Sequence, residues 1–341
     1  MLGPLLFLLF INDLPDGIKN SLRMFADDVK FVVGPGMYSD AQSDLDLLTN
    51  WESLWGLKFN IDKCKVLHFG ISNPQTKYLF SGNELKSVNE ECDLGVLFDS
   101  SFNFKSHIAS CIAKANQQIG WITRSIISRQ SGVMLRVYKT LIRPFLEYCC
   151  QVWSPMGKYG NWDTILEIEG VQRSFTRMID GIGLLTYRKR LEKLGLTTLL
   201  ERRMRGDLIE VFKIVNDHVD YGSDLFNYSR VTKNILATSV YRGPSKIANV
   251  LSHRVIKFWN RLPRNVKCAK SVNSFKNMLD AHRERGYTLR SWEGTKLNDI
   301  WELSWEIFDR LHVNPQHRLN YTTYMIEHPR VARCRGLNIT V

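Results

Sequence analysis

At 341 residues the chain is longer than one hydrophobic core usually serves, so two or three domains are expected. Its content of 44% hydrophobic and 23% charged residues is ordinary for a globular protein with ample core material, which excludes a small scaffold held by disulfides. The formal net charge of +12 is unevenly placed: residues 1–100 carry 8 Lys and Arg against 14 Asp and Glu, a net of −6, residues 101–290 carry 32 against 14, a net of +18, and residues 291–341 carry 6 against 6. An acidic first part followed by a strongly basic middle suits a metal-bearing centre joined to a region that grips a polyanion; the alternative is an ordinary solvated helical surface.

The chain opens on the apolar run Leu2 to Ile11. It is too short to span a bilayer as a helix, and it lacks the basic stretch and small-residue cleavage site of a signal peptide. It predicts a buried helix entered after Gly3-Pro4 and ended before Pro15. Leu22, Met24 and Ala26 then alternate with polar residues, and Val29 to Val33 follow, closed by Gly34-Pro35-Gly36. That pattern predicts a β-hairpin with Asp27-Asp28 at its turn. Neighbouring side chains of a regular strand point to opposite faces, so two adjacent aspartates share a surface only where the chain turns. Crowded there they repel each other unless a divalent cation lies between them and its other ligands. Hard oxygen ligands with few protein contacts suit Mg²⁺.

Leu45, Leu48, Trp51, Leu54 and Trp55 recur at helical spacing up to Gly56. Leu57, Phe59 and Ile61 alternate, Lys63-Cys64-Lys65 leads into a strand Val66 to Phe69, and a second hairpin is expected between Tyr78 and Val88 about Gly82-Asn83. Leu94 to Phe98 reads as a further strand.

From about residue 104 the pattern is helical. Ile108, Ile112, Ala115, Ile119 and Ile122 trace one face, with Lys105, Lys114 and Arg124 elsewhere on that helix. Val133, Val137, Leu141 and Leu146 trace a second, bent at Pro144, and Ile165, Ile168, Val171, Phe175 and Ile179 a third that carries Arg173 and Arg177. A fourth, Leu199 to Val215, starts with Arg202, Arg203 and Arg205, cations that oppose the helix dipole and call for an acidic partner. A phosphate backbone would serve, and so would an intramolecular carboxylate such as Glu201. Residues 219–250 look like a linker, and Leu297 to Leu311 suggest one amphipathic helix in a tail of unknown role.

The seven cysteines show no Cys-x-x-Cys spacing and read as reduced thiols of an intracellular protein, cytoplasmic or nuclear. His312 with His317 and His328 with Cys334 lack the tight ligand pair of a zinc site.

Four ordered blocks then carry a resemblance: Leu2-Gly3-Pro4-Leu5-Leu6-Phe7 running to Ile11-Asn12-Asp13-Leu14-Pro15, Phe25-Ala26-Asp27-Asp28, Trp51 through Gly56-Leu57-Lys58-Phe59-Asn60 to Lys63-Cys64-Lys65, and Asp93-Leu94-Gly95-Val96. In this order they resemble the reverse transcriptase of non-long-terminal-repeat (LINE-type) retrotransposons. The likeness runs on through Tyr138 to Pro144, Leu146 to Cys149, Trp153-Ser154-Pro155, Ile168 to Arg173, Phe258 to Pro263 and Ser274 to Asn277, covering residues 1 to about 285.

The resemblance implies an α+β fold: a partial polymerase palm with an antiparallel sheet and helices over residues 1–100, then a mostly helical thumb-like region over 101–218, a linker and C-terminal family region over 219–285, and the tail 286–341. It implies Asp27 and Asp28 as metal ligands for a weakly bound Mg²⁺, Asp28 in a supporting role, Lys63 meeting the triphosphate or protonating the leaving group, and an RNA template and DNA primer as partners. No membrane association is expected, and no protein partner is deducible. Lys105, Lys114, Arg124, Arg173, Arg177, Arg202 and Arg203 are the candidate nucleic-acid contacts. By the same likeness one anchoring aspartate would lie on a strand upstream of Leu2, together with the template-binding fingers. The expectation is therefore a truncated RNA-directed DNA polymerase, inactive alone. The alternative is a non-catalytic basic nucleic-acid-binding protein derived from such an element.

Overall fold

The computed structural model describes residues 2–70, 72–155, 162–222, 225–228, 235–237, 250–284 and 339–340. These form two compact units: one runs from the start of the chain to Phe104 and takes in the strand Ile339–Thr340, the other starts at Lys105. The linker expected at 219–250 lies largely outside the described residues. The tail helix and the loose His and Cys pairs lie wholly outside them.

The first unit begins with α1 (Leu2–Phe10), a helix as expected, but not a buried one. Leu2 is 65% exposed and Leu9 67%, and no residue of the helix is buried. An evenly apolar run has no polar face to mark the side that needs covering, so the pattern gave the helix and not its surroundings. Phe10 meets Trp51 and Trp55 edge-on at 5.9 and 5.4 Å, and Ile11 and Leu14 just beyond the helix are buried. Among the described residues no helix is long and apolar enough to cross a membrane.

The hairpin follows as β1 (Ser21–Phe25) and β2 (Asp28–Val32), antiparallel with Ser21 opposite Val32 and Phe25 opposite Asp28. The turn is Ala26-Asp27, with Ala26 at φ 51°, so Asp27 sits in the turn and Asp28 opens the second strand. Val29 and Phe31 point inward onto α2 (Tyr38–Trp55), whose Ala41, Leu45 and Leu48 are buried in the same core. Each fully buried Leu or Phe there contributes about 1.5–3 kcal/mol. Gly56 closes α2 in the left-handed region at φ 71°, its N–H bonding Glu52 O.

The alternation at Leu57 to Ile61 does not make a strand. Phe59 is buried, and Ile61–Lys63 form one 3₁₀ turn before β3 (Lys65–Leu67). The second hairpin is shorter than expected: β4 (Leu79–Phe80) pairs with β5 (Asn83–Glu84) about Ser81-Gly82, while β6 (Lys86–Val88) leaves it to pair with β3. Leu94-Gly95 is not strand but the turn between β7 (Glu90–Asp93) and β8 (Val96–Asp99), with φ 44° and 84°. The main sheet has the order β1, β2, β9, β3, β6, where β9 is Ile339–Thr340. It is mixed rather than antiparallel, because β9 runs parallel to β2 and to β3, and β6 parallel to β3.

The second unit is helical. Along α3 (Lys105–Ser125) Ile108, Ala115 and Ile122 are buried with Cys111, while Ile112 and Ile119 are only half-buried. The next helix is interrupted. α4 (Ser131–Val137) passes into a π-helical stretch, Tyr138–Ile142, and then α5 (Arg143–Glu147). Its buried stripe is Met134, Tyr138, Ile142 and Leu146, and Val133 and Leu141 are exposed instead. The wider π turn spaces inward positions by four, and it takes up the backbone disruption before Pro144, which sits in the first turn of α5.

After α6 (Cys150–Trp153), α7 (Trp162–Arg177) buries Ile165, Ile168, Val171 and Phe175 as the spacing requires. α8 (Tyr187–Leu194) and α9 (Leu199–Val215) follow. The short helices α10 (Leu251–Arg254), α11 (Ile256–Arg261) and α12 (Arg264–Lys267) and then α13 (Val272–Glu284) pack on α9. Phe212 of α9 stacks on Phe275 of α13 at 4.3 Å, and Trp259 of α11 is fully buried beside them.

Candidate metal and nucleotide site

The segment entering β1 is pinned to α2 by a buried carboxylate. Asp44 accepts from Lys19 N at 3.0 Å, Asn20 N at 2.9 Å and Asn20 Nδ2 at 2.8 Å. Asp13 accepts from Trp51 Nε1 at 2.9 Å, which makes it a tether between the opening segment and α2. The hairpin therefore projects from a fixed base, and its tip carries Asp27, exposed, and Asp28, half-buried.

The Asp28 carboxyl is held above the ordinary carboxylate range, first by its burial and second by the charge of Asp27, while Lys63 pulls it back. The charges of Asp27 and Lys63 thus both act on Asp28, in opposite directions. All three are the residues to which the family resemblance gives catalytic roles. Lys63 is delivered by the 3₁₀ turn between α2 and β3, so its position depends on the same packing that holds the hairpin.

Along β2 the residues alternate, so Asp28 shares a face with Lys30, and Val29 and Phe31 face the core. The Lys30 ammonium pairs with Asp93 and lies 5.3 Å from the Phe98 ring centroid. Among the described residues no group of three or more His, Cys, Asp and Glu side chains is gathered closely enough to hold an ion. Two carboxylates fit Mg²⁺ where waters and substrate phosphates complete the octahedron, and fall short of a cage made by protein alone.

The candidate nucleic-acid contacts divide. Lys105, Lys114 and Arg124 are exposed on α3, and Arg177 is half-buried. Arg173 is buried, with its guanidinium 5.3 Å from the Tyr187 ring centroid. Arg203 is 1% exposed, donates through Nε to Ser154 Oγ at 3.1 Å and lies 6.0 Å from the Trp153 ring. Burial lowers its affinity for a proton, and of the charges that oppose this Glu169 acts most strongly. Neither arginine reaches a phosphate from there. The acid expected opposite the start of α9 is intramolecular: Arg202 pairs with Glu147, and Arg205 grips Asp280 through two bonds of 2.7 Å. Glu201 serves instead in a capping box with Thr198.

The spacing argument missed a buried polar network. Tyr138 Oη donates to Gln172 Oε1, Gln172 Nε2 to Tyr187 Oη, and Tyr187 Oη to Glu169 Oε1, each at 2.6 Å. Glu169 also accepts Leu199 N at 2.9 Å, satisfying the first N–H of α9. Asp207 and Arg254 form a second buried pair at 2.7 and 2.8 Å, and Arg254 reaches on to the carbonyls of Cys150 and Gln151. The available signal was polar Glu169, Gln172 and Arg173 sitting between apolar residues on the inward face of one helix.

No protein-family model matches the chain, and no solved structure matches it. Curated proteins do. The chain is 25% identical over 256 residues to a protein described as "Probable RNA-directed DNA polymerase from transposon X-element" of Drosophila melanogaster, covering 71% of this chain and 26% of that protein. It is 25% identical over 169 residues to the "RNA-directed DNA polymerase from mobile element jockey" of Drosophila funebris, covering 45% and 18% respectively. The jockey protein of Drosophila melanogaster is 22% identical over 174 residues. The chain thus spans about a quarter or less of the length of these relatives.

Proposed function

We propose that this chain, which resembles part of the RNA-directed DNA polymerases of non-LTR retrotransposons, carries a portion of a polymerase palm up to Phe104 and a thumb-like helical unit after it. The observation that carries this reading is the adjacent pair Asp27-Asp28 at the hairpin tip, with Lys63 of the 3₁₀ turn acting electrostatically on Asp28. Asp27 and Asp28 would hold Mg²⁺, and Lys63 would meet the triphosphate of an incoming nucleotide. When bound, the ion offsets the negative charge of the attacking 3′-oxygen and of the departing pyrophosphate. Burial and the charge of Asp27 raise the Asp28 pKa, and a cation between the two acids would offset that repulsion.

Template RNA and primer DNA would be the partners, held by the exposed cations of α3. Two carboxylates are fewer than a two-ion site calls for. The chain alone is therefore expected not to extend a primer, and a further carboxylate from elsewhere would be needed. The test is primer extension with Mg²⁺ or Mn²⁺. Nucleotide incorporation by the wild-type chain that Asp27→Ala abolishes would overturn the claim that two carboxylates are insufficient.

A second reading, a nucleic-acid-binding module without catalysis, is favoured by the exposure of Lys105, Lys114 and Arg124 on one helix. It requires affinity for duplex DNA to fall with salt, by a logarithmic slope of about −0.9 per phosphate neutralised. Affinity indifferent to salt would reject it.

A further inference from the structure

α3 turns one face to water. Its buried residues His107, Ile108, Cys111, Ala115 and Ile122 lie together on the inward side, and exposed Lys114, Gln117, Trp121 and Arg124 follow one another at helical spacing along the other. From the first of these to the last the row runs about 15 Å along the axis. Trp121 is 51% exposed, whereas Trp153 and Trp259 of the same unit are buried. One large apolar side chain in water is ordinary. What sets this indole apart is its company.

The 21 residues of α3 include Lys105, Lys114 and Arg124 and not one Asp or Glu, so no carboxylate of the helix itself offsets those cations. A Cβ at Gly120 would lie 3.7 Å from Nη1 of Arg124, so the guanidinium folds back along the helix toward the turn that carries Trp121. A planar cation and an indole are thereby kept close together on the open face. Aromatic rings set among cations are how a protein surface holds a polynucleotide whose bases are bare.

Cations alone attract phosphates whether or not the strand is paired. The indole discriminates. In a duplex each base is covered by its neighbours and offers only its edge to the grooves, whereas an unpaired strand offers faces on which a ring can stack. Resting on the nucleic-acid reading of α3 given above, we infer that this row binds a single-stranded polynucleotide, with one base stacked on Trp121 and the flanking phosphates met by Lys114 and Arg124. Neither contact uses the sugar 2′-hydroxyl, so RNA and DNA strands are held alike.

The test is fluorescence anisotropy of the full chain with labelled twelve-nucleotide oligo(rU) and oligo(dT) and with a duplex of the same length. Trp121→Ala should weaken both single strands by about tenfold while leaving the duplex within about twofold, and Trp121→Phe, which keeps an aromatic face, should restore most of the loss. Arg124→Ala should make the logarithmic salt slope for the single strands shallower by about 0.7, the value of one phosphate contact. Salt-dependent binding that ignores Trp121, or an equal loss on single strands and duplex, would overturn this inference and leave the nucleic-acid reading standing. Binding of none of the three probes would remove both. A dimer in sedimentation velocity that Trp121→Ala dissociates, with oligonucleotide affinity unchanged, would assign the face to a second copy of the chain and overturn the inference as well.

Discussion

In the unit up to Phe104 the acidic pair proposed to hold an ion sits at the rim, with Asp27 exposed and Asp28 only half-buried; in the helical unit Arg173, Arg190, Arg203, Arg254, Glu169 and Asp207 are all inside. The first arrangement leaves charge available to an ion or a triphosphate. The second spends charge on holding helices together. Arg190 bonds Thr176 and the carbonyls of Leu185 and Arg173, and Glu169 ties α7 to the start of α9. A net of +18 over residues 101–290 therefore overstates the surface that could meet nucleic acid, because several of its arginines are interior.

The largest effect expected from this contrast is on the buried pair. Asp207→Ala leaves the Arg254 charge buried without its carboxylate, and should cost about 3–5 kcal/mol in urea unfolding. A loss below about 1 kcal/mol would place that pair in contact with water and erase the distinction.

A smaller effect, opposite in sign between the units, is expected with pH. In the first unit hydrogen bonds from Ser101 and from the backbone of Ser101, Asn103 and Phe104 outweigh burial and hold Asp99 below its ordinary value of 3.8. The stability it contributes is complete above that value and is lost as pH falls through the lowered one. In the second unit burial raises Glu169 and Asp207 above 4.5 and 3.8, so their contribution is present at low pH and declines as pH rises from those values through the raised ones. Melting temperatures between about pH 2 and pH 7 should show Asp99→Asn flattening the acid-side loss and Glu169→Gln flattening the loss on raising pH. A pH profile identical to wild type in both variants would break the contrast.

The smallest effect belongs to the rim. Lys19 and Asp40 pair at 2.8 Å with 63% and 37% of their side-chain surface exposed, so Lys19→Ala should leave the unfolding midpoint unchanged within error. A clear shift would mean that surface charge in the first unit is structural after all.

The sequence made the hairpin legible because alternation, an acidic turn and a closing Gly-Pro-Gly agree. α2, α7 and α9 are legible because apolar residues recur at helical spacing, and Gly56 marks the end of α2. Other elements hid for identifiable reasons. The π stretch at Tyr138–Ile142 slides the buried stripe from Val133 and Leu141 to Met134 and Ile142, which a fixed period of 3.6 does not anticipate. Leu94-Gly95 reads as strand because its neighbours are apolar, yet both residues have positive φ and make a turn. Burial of Arg203 was invisible since its surroundings, Ser154 and Trp153, lie about fifty residues away in sequence. For Arg202 and Arg205 the partners Glu147 and Asp280 are 55 and 75 residues distant. Long-range pairing of charges leaves no local pattern.

The hairpin tip remains the centre of the functional reading, and Mn²⁺ reports on it directly. Electron paramagnetic resonance of Mn²⁺ titrated into the chain with a deoxynucleoside triphosphate should show binding that Asp27→Ala weakens by about tenfold or more, roughly 1.4 kcal/mol. Equal Mn²⁺ and nucleotide affinity in wild type and Asp27→Ala would contradict the assignment of the acidic pair as the metal-holding part of a polymerase site.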